Sequence, residues 1–526
     1  MQRTRRQVLA TGMASSSMLA LPALAPAAGN RNGMDRFIEQ AREGVRQGMD
    51  RYGVVGASAA LLIDSEPVWV ECFGETGGAA PRRIDRETIF SIQSTSKHVC
   101  ATAVMLAVER GLLDLDRPIS AYLPDFTVNS RHEADPVSAM SLRRLLSHHA
   151  GFTHEAPVGN NFIPESPSFE AHVASIQRTW LRYPVGERHA YSNLGIDLAG
   201  YVLQRAAGMP YAECLQQWIF EPLGMRNTTA ATDVYAANRN RAIGHAVGFE
   251  AVPLRVPLVA SGGVYTSIED LVRYTQFHMS RGRAGTRQLL TESLWQEMHT
   301  FRYACDYALG VARFEHRFEG HDAILFNHNG GGFGFGCHFY YAPAEGLGWL
   351  ALFNGVTKAD PSSSFDLIMP GPILEARYGP PAAPSVNTNP VKTLAPELLQ
   401  SRVGLWMNGD AVRHATIVDG QLCIAAPGAE PDRLAFTSDD EAWVAEGPEK
   451  GAAVRFHLAR GLEAQHFELP IGTHWDFIDG PSLPPGPVHA EYDDRLGDYE
   501  IYSWGKPVFR IRLSRKNGYI YVNDIP

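Results

Sequence analysis

The sequence predicts an α+β domain followed by a small all-β, barrel-like C-terminal domain. Three observations carry that expectation. Helical patterns in residues 34–378 lie mostly between two sets of strand-like runs, a Pro- and Asn-rich stretch follows Tyr378, and beyond about Ala395 short strand-like runs dominate. Strands bracketing a run of helices suit one sheet assembled from both ends of the segment. At 526 residues the chain is also too long for a single hydrophobic core.

The elements follow in order. Residues 1–28 have a basic start, a weakly apolar middle and small residues around Ala23 and Ala25, the layout of a secretory signal peptide. Thr4-Arg5-Arg6-Gln7-Val8-Leu9 resembles a twin-arginine leader, the type that exports folded proteins. Ser15 to Ser17, Pro22 and Pro26 interrupt the apolar run, which is short for a membrane span, and no cysteine sits there to take a lipid. Phe37, Ala41, Val45 and Met49 recur every four residues and predict an amphipathic helix over 34–52. GASAALLIDSEPVWVECFGE reads as two strands around a turn containing Asp64, Ser65 and Pro67. Residues 94–111 turn helical, with Gly111 as the stop, and residues 191–225 hold two helices parted by Gly208-Met209-Pro210. CHFYYAP and LGWLALFNG return to strand character.

The predicted division is a twin-arginine signal at 1–28, an α+β domain at 29–378, a linker at 379–396 and a β-rich domain at 397–526. Within the last, RVGLW followed by VDGQLCIAA echoes RLGDYE followed by KNGYIYVND, so Gly404 and Gly497 open two similar pieces. Short strands with closely spaced turns favour a barrel or sandwich there.

Composition excludes several classes. With 45% hydrophobic and 20% charged residues the chain is an ordinary globular protein, and its net charge of −10, without a basic tract, argues against nucleic acid or anionic membrane as partner. Six cysteines are scattered with no C-x-x-C pair and read mainly as small buried hydrophobes. No H-E-x-x-H occurs, and adjacent His148 and His149 point to different sides of any element, so no metal is expected. No G-x-S-x-G elbow occurs, and in FNHNGGGFGFG Phe335 and Cys337 fall where a nucleotide loop requires glycine.

Three short motifs carry the candidate chemistry. Ser94-Thr95-Ser96-Lys97 puts an amine three residues after a hydroxyl at a helix start, so both side chains share one face. An amine that close takes the serine proton or holds another base, making the hydroxyl nucleophilic. Tyr191-Ser192-Asn193 precedes a helix and offers a phenol and an amide donor, although asparagine before a helix is commonly a cap. His328-Asn329-Gly330 follows the strand-like AILF, and a strand beside a nucleophile supplies backbone N–H groups to a developing oxyanion.

Together and in this order the motifs resemble the serine β-lactamase and penicillin-binding protein family, in its class C-like and D-peptidase branch. VERGLLDLDRPISAYLP, LRRLLSHHAGF and ASGGVYTSIEDLVRYTQF are similar to that family's connecting segments, and the likeness covers roughly residues 35–378. The resemblance implies a β-lactamase/transpeptidase-like fold, an antiparallel sheet flanked by helices plus a helical subdomain. It also implies a Ser94 acyl-enzyme, with Lys97 and Tyr191 managing the proton and Asn193 positioning the substrate. Backbone N–H groups of Ser94 and Gly331 would form the oxyanion hole, side-chain-free Gly330 and Gly331 would admit the carbonyl, and His328 would face the carboxylate or leaving group.

His328 stands where class C β-lactamases carry lysine, and a largely neutral imidazole suits a β-lactam carboxylate less well than a permanent cation. The expectation is therefore an exported, cofactor-free serine hydrolase, periplasmic or secreted, acting on a D-amino-acid-containing peptide, amide or ester of small size. Alternatives are a broad esterase or weak β-lactamase, and a non-catalytic binder of penicillin or peptidoglycan fragments. Segments such as Phe152 to Ser168 would choose among substrates.

Overall fold

The structure is a computed structural model that describes residues 31–161, 167–245, 259–303, 305–355, 371–380, 390–408, 411–457, 466–468, 474–479, 495–503, 506–516 and 519–522. The predicted signal peptide lies outside the described residues, as does half of the linker, residues 381–389. The first helix, α1 (Arg31–Tyr52), leads into the hairpin β1 (Gly56–Ile63) and β2 (Glu66–Gly74). The remaining sheet strands come some 240 residues later: β3 (Ala312–Phe318), β4 (His321–Asn327), β5 (Gly330–Gly332), β6 (Phe335–Ala342) and β7 (Leu347–Asn354). They form one seven-stranded sheet in the order β2-β1-β7-β6-β4-β3, with β5 paired to β6. Its centre joins the two ends of the segment, Gly56 opposite Asn354 and Ile63 opposite Leu347.

Alternation along the strands splits the core in two. Ala57, Ala59 and Leu61 of β1, with Trp349, Ala351 and Phe353 of β7, pack against Ala41 and Val45 of α1. The intervening Ala60, Leu62, Leu350 and Leu352 face the other way, into the large cluster that holds the remaining helices. That cluster is organised by α2 (Ser96–Glu109), α3 (Asn193–Ala207) and α4 (Ile268–Met279). Helix α2 is buried from Ser96 to Ala107, the central position of a core helix.

Local chemistry explains the boundaries. Asp64 and Ser65 both take positive φ, 51° and 67°, and form the two-residue hairpin turn. Pro67 lies in β2 rather than in the turn, at a register break between Leu61 and Leu62; β2 is an edge strand, where a missing N–H is tolerated. Gly208 closes α3 in the left-handed region at φ 66°.

After helix Pro396–Gln400 the chain forms a closed antiparallel barrel of β8 (Gly404–Asn408), β9 (Ala411–Val418), β10 (Gln421–Ala425), β11 (Asp432–Phe436), β12 (Glu441–Glu446), β13 (Ala453–His457), β14 (His466–Glu468) and β15 (His474–Asp479). Trp406, Leu422, Ile424, Leu434, Val444, Phe456 and Phe467 fill its interior. A separate three-stranded meander follows, β16 (Gly497–Ser503), β17 (Lys506–Lys516) and β18 (Tyr519–Val522). The two pieces that look alike in sequence are thus β8–β10 and β16–β18, and their opening glycines share a backbone conformation, φ 153° at Gly404 and 141° at Gly497. All six cysteines are free, and no described helix is long and apolar enough to cross a membrane.

Candidate active site

Ser94 sits in a single 3₁₀ turn, Gln93–Thr95, that runs directly into α2. Buried Gln93 holds φ 48° immediately before it, a strained conformation for a residue with a side chain. The turn is held from two sides. Ile92 N–H donates to Val264 O at 3.1 Å and Val264 N–H to Ser96 Oγ at 3.0 Å, while Thr95 Oγ1 donates to His328 O at 2.8 Å.

Lys97 is fully buried. Its Nζ donates to Ser94 Oγ at 3.0 Å and to Ser261 O at 2.9 Å, and lies 4.9 Å from the centre of the Tyr191 ring. The carbonyl of Ser261 is itself fixed. Asp197, one turn after Asn193 on α3, accepts from the N–H groups of Ala260 at 2.7 Å and Ser261 at 2.8 Å, and from Ser261 Oγ at 3.0 Å. His172 stands behind, its Nε2 3.2 Å from Asp197 Oδ2 in an ion pair too poorly aligned for a hydrogen bond. Burial opposes charge on His172, but the Asp197 carboxylate outweighs it and raises the imidazole pKa.

Asn193 is not the helix cap. Ser192 caps α3 by accepting from Gly195 N–H at 3.2 Å, which leaves the Asn193 side chain to the site. Its Nδ2 donates to Glu155 Oε1 at 2.9 Å. His148 packs its ring 4.4 Å from Tyr191 and accepts Ser192 N–H on Nδ1 at 3.1 Å. Burial first, then the neighbouring His189 and Lys97, keep His148 well below the usual imidazole range and therefore neutral.

The strand wall is built from β5. A Cβ on Gly330 would fall 1.9 Å from Ile92 O and 3.1 Å from Ser94 N, so only glycine lets the strand lie against the nucleophile turn. A Cβ on Gly331 would meet nothing within 4 Å, so the space beside that residue is open. Gly334, at φ 73°, completes the hairpin turn from β5 to β6 after Phe333 at φ 51°. His328 is buried, with Nδ1 2.9 Å from Asn329 O and Nε2 2.8 Å from Tyr307 OH. A carbonyl only accepts, so Nδ1 carries the proton and Nε2 receives the Tyr307 hydroxyl. Burial, then Lys97, pushes His328 down to about 3, and burial with Tyr191 raises Tyr307 well above the usual phenol range. Both stay neutral across physiological pH.

Behind Lys97 lies a second histidine group. Ring nitrogens of His98, His278 and His299 come within 4.8 Å of one another. His299 donates from Nδ1 to Trp295 O at 2.7 Å, so its Nε2 accepts Tyr341 OH at 2.6 Å. The Tyr341 oxygen then accepts from His98 Nε2 at 2.8 Å, and His98 Nδ1 accepts Tyr274 OH at 2.7 Å. A cation would have to displace both phenols. The chain of hydrogen bonds instead braces α2 beneath the site.

Ser94, Lys97, Tyr191, His328 and Gly330 come together from three separated stretches; Asn193 reaches them through Glu155, next to His154 whose ring lies beside Tyr191, and Gly331 follows Gly330 in β5 with open space beside it. Asp197, Ser261, His148 and Tyr307 carry no motif that marks them as site residues, and Glu155 lies within the segment Phe152 to Ser168 that the sequence points to for substrate choice. A signal existed for Asp197, a lone carboxylate within the apolar run NLGIDLAGYVL.

A sequence profile described as Beta-lactamase matches residues 41–368. The chain belongs to that family. Curated relatives of this β-lactamase-family chain include the D-alanyl-D-alanine-carboxypeptidase/endopeptidase AmpH of Escherichia coli K12, 25% identical over 42% of this chain and 57% of AmpH. Esterase EstB of Burkholderia gladioli is 26% identical over 33% of the chain and 46% of EstB. A β-lactamase of Pseudomonas fluorescens is 24% identical over 58% of the chain and 90% of that enzyme. The chain thus spans little more than half the length of AmpH. Among solved structures, SurE superposes with a TM-score of 0.58 at 24% identity, over 85% of this chain and 99% of SurE. A class C β-lactamase gives 0.52 at 18% identity, over 62% of this chain and 92% of its own. The fold is that of the β-lactamases and penicillin-binding proteins.

Proposed function

We propose that the protein is an exported serine hydrolase that forms an acyl-enzyme on Ser94 and acts on a D-amino-acid-containing peptide, amide or ester. One observation carries the reading: Lys97 Nζ is held 3.0 Å from Ser94 Oγ by a carbonyl that Asp197 fixes in place. Ser94 Oγ attacks the substrate carbonyl and its proton passes to the Lys97–Tyr191 pair. The oxyanion that forms is met by the N–H groups of Ser94 and Gly331. The pair returns the proton to the departing amine or alcohol as the carbonyl–heteroatom bond breaks. Water then attacks the Ser94 ester, releasing the acid and restoring the hydroxyl.

Two further points support the substrate class. AmpH is named for action on D-alanyl-D-alanine, and neutral, inward-bonded His328 offers no fixed cation to a β-lactam carboxylate. Export rests on the leader-like residues 1–28. A broad esterase of the same machinery is the second reading, supported by the likeness to EstB. The test is turnover of D-alanyl p-nitroanilide, short p-nitrophenyl esters and a chromogenic cephalosporin by wild type and Ser94→Ala. Ser94-dependent hydrolysis of the D-alanyl substrate is expected; turnover of the ester alone moves the protein to the esterase reading, and a stable adduct with no turnover makes it a binder.

A further inference from the structure

Around Asn193 the acceptors are unequally served. Glu155 Oε1 takes two donors, Asn193 Nδ2 at 2.9 Å and Asn161 Nδ2, while His154 Nδ1 lies 2.9 Å from it without the alignment of a hydrogen bond. Among the described residues its other oxygen, Oε2, takes none, and Asn193 Oδ1 takes none either, though both atoms are shielded from solvent. Because a carboxylate oxygen only accepts, the Asn193 nitrogen is pinned to Glu155 and Oδ1 is left over. The pair is part of the site wall: the His154 ring lies 5.7 Å from that of Tyr191, nearly parallel, and Tyr191 in turn lies beside Lys97.

Buried acceptors without donors are costly and uncommon, and two together beside a substrate-positioning amide point to a ligand group rich in donors. One of the two belongs to a carboxylate, so the matching group is positive as well. An aminoacyl substrate with a free N-terminus carries such a group, an ammonium with three donors, one carbon from its scissile carbonyl. An N-acylated substrate presents a neutral amide with one donor.

We propose that Glu155 Oε2 and Asn193 Oδ1 form a subsite for the α-ammonium of the substrate, so that unblocked D-aminoacyl compounds are taken in preference to N-acylated ones. Shielding from water strengthens that charge pair. The inference rests on the aminoacyl reading above and goes further, since the machinery at Ser94 is indifferent to the amine.

The experiment uses two substrate pairs that differ only in N-acetylation: D-alanine and N-acetyl-D-alanine p-nitroanilides, and the corresponding benzyl esters. In wild type the free amine is expected to lead by about tenfold or more in kcat/KM, the effect of one well-placed charge-assisted contact. In Glu155→Gln that ratio falls to about one, and Glu155→Asp, which keeps the charge, restores part of it. Damage to the fold or to Asn193 lowers both members of a pair and cancels from the ratio. A wild-type ratio near one, or a ratio that Glu155→Gln leaves unchanged, overturns the subsite. If both anilides resist while the esters react, the peptidase reading falls and the ester pair alone decides Glu155. Failure of every substrate removes both proposals.

Discussion

Beneath Ser94 the interior buries Lys97, His98, Asp197, His278, His299 and His328, whereas the described barrel interior buries only Arg402 and Asp432 among polar residues and is otherwise aliphatic and aromatic. Lys97 and Asp197 are tied through Ser261, His98 and His299 through Tyr341, His278 to Thr102 and His328 to Tyr307. The barrel core instead carries a guanidinium laid over Phe456 at 4.4 Å and Phe436 at 5.0 Å, its Nε and Nη1 without hydrogen-bond partners among the described residues. A core that holds ionisable groups in register is needed to aim a proton acceptor; a core that only closes a barrel needs shape.

That contrast can be broken in graded steps. The largest effect is expected from Ser94→Ala, which should lower kcat by about 10⁴-fold or more while circular dichroism and melting stay as in wild type. Gly330→Ala comes next: the added methyl pushes β5 off the nucleophile turn, and displacement of that size costs about 10²-fold in kcat/KM. Retention of activity in Gly330→Ala would show that the turn and strand can part without harm.

Asp197→Asn leaves shape intact but weakens the grip on Ser261 N–H and Oγ. It should cost about tenfold in kcat with KM little changed, and roughly 1–3 kcal/mol of stability read by denaturant titration. Equal loss in kcat and in affinity would argue that Asp197 only supports the fold.

Acid separates the two regions without mutation. Burial depresses His98, His148, His278, His299 and His328, the last two to about 3. Their unfolded forms bind protons below about pH 6.5, so the stability they confer is present above that value and is lost as pH falls toward 3. His172, raised beside Asp197, works in the opposite sense and is outnumbered. Calorimetry between pH 7 and 4 should show the Ser94 domain melting progressively earlier than the barrel. The smallest change is expected from Arg402→Met, within about 1 kcal/mol for the barrel, because the lost ring stacking is offset by removal of unpaired buried donors.

Local pattern made the nucleophile legible. Ser94 and Lys97 share a helix face because of backbone geometry alone, and the strand runs announced a sheet closed from both ends. Gly404 and Gly497 likewise mark in the sequence the openings of two similar pieces, one now part of the closed barrel and the other a separate three-stranded sheet. What could not be read was who sits behind the motif. Ser261 orients Lys97 from 164 residues away, through a backbone carbonyl that has no side-chain signature. Tyr307 joins the site by loop packing, for which periodicity gives no signal, and Glu155 is marked only by lying in the segment Phe152 to Ser168. His328 was expected against the substrate, whereas its ring bonds inward to Tyr307.

The pairing of Gly56 with Asn354 also sets a timetable. A chain growing from its N-terminus has no partner for the second edge of β1 until nearly 300 further residues exist, so the hairpin β1–β2 must wait with an apolar face uncovered. Closing so long a loop adds little to the equilibrium cost but delays the productive collision. The Ser94 domain therefore completes only after most of it has left the ribosome, and until then the hairpin edge stays exposed to off-pathway pairing.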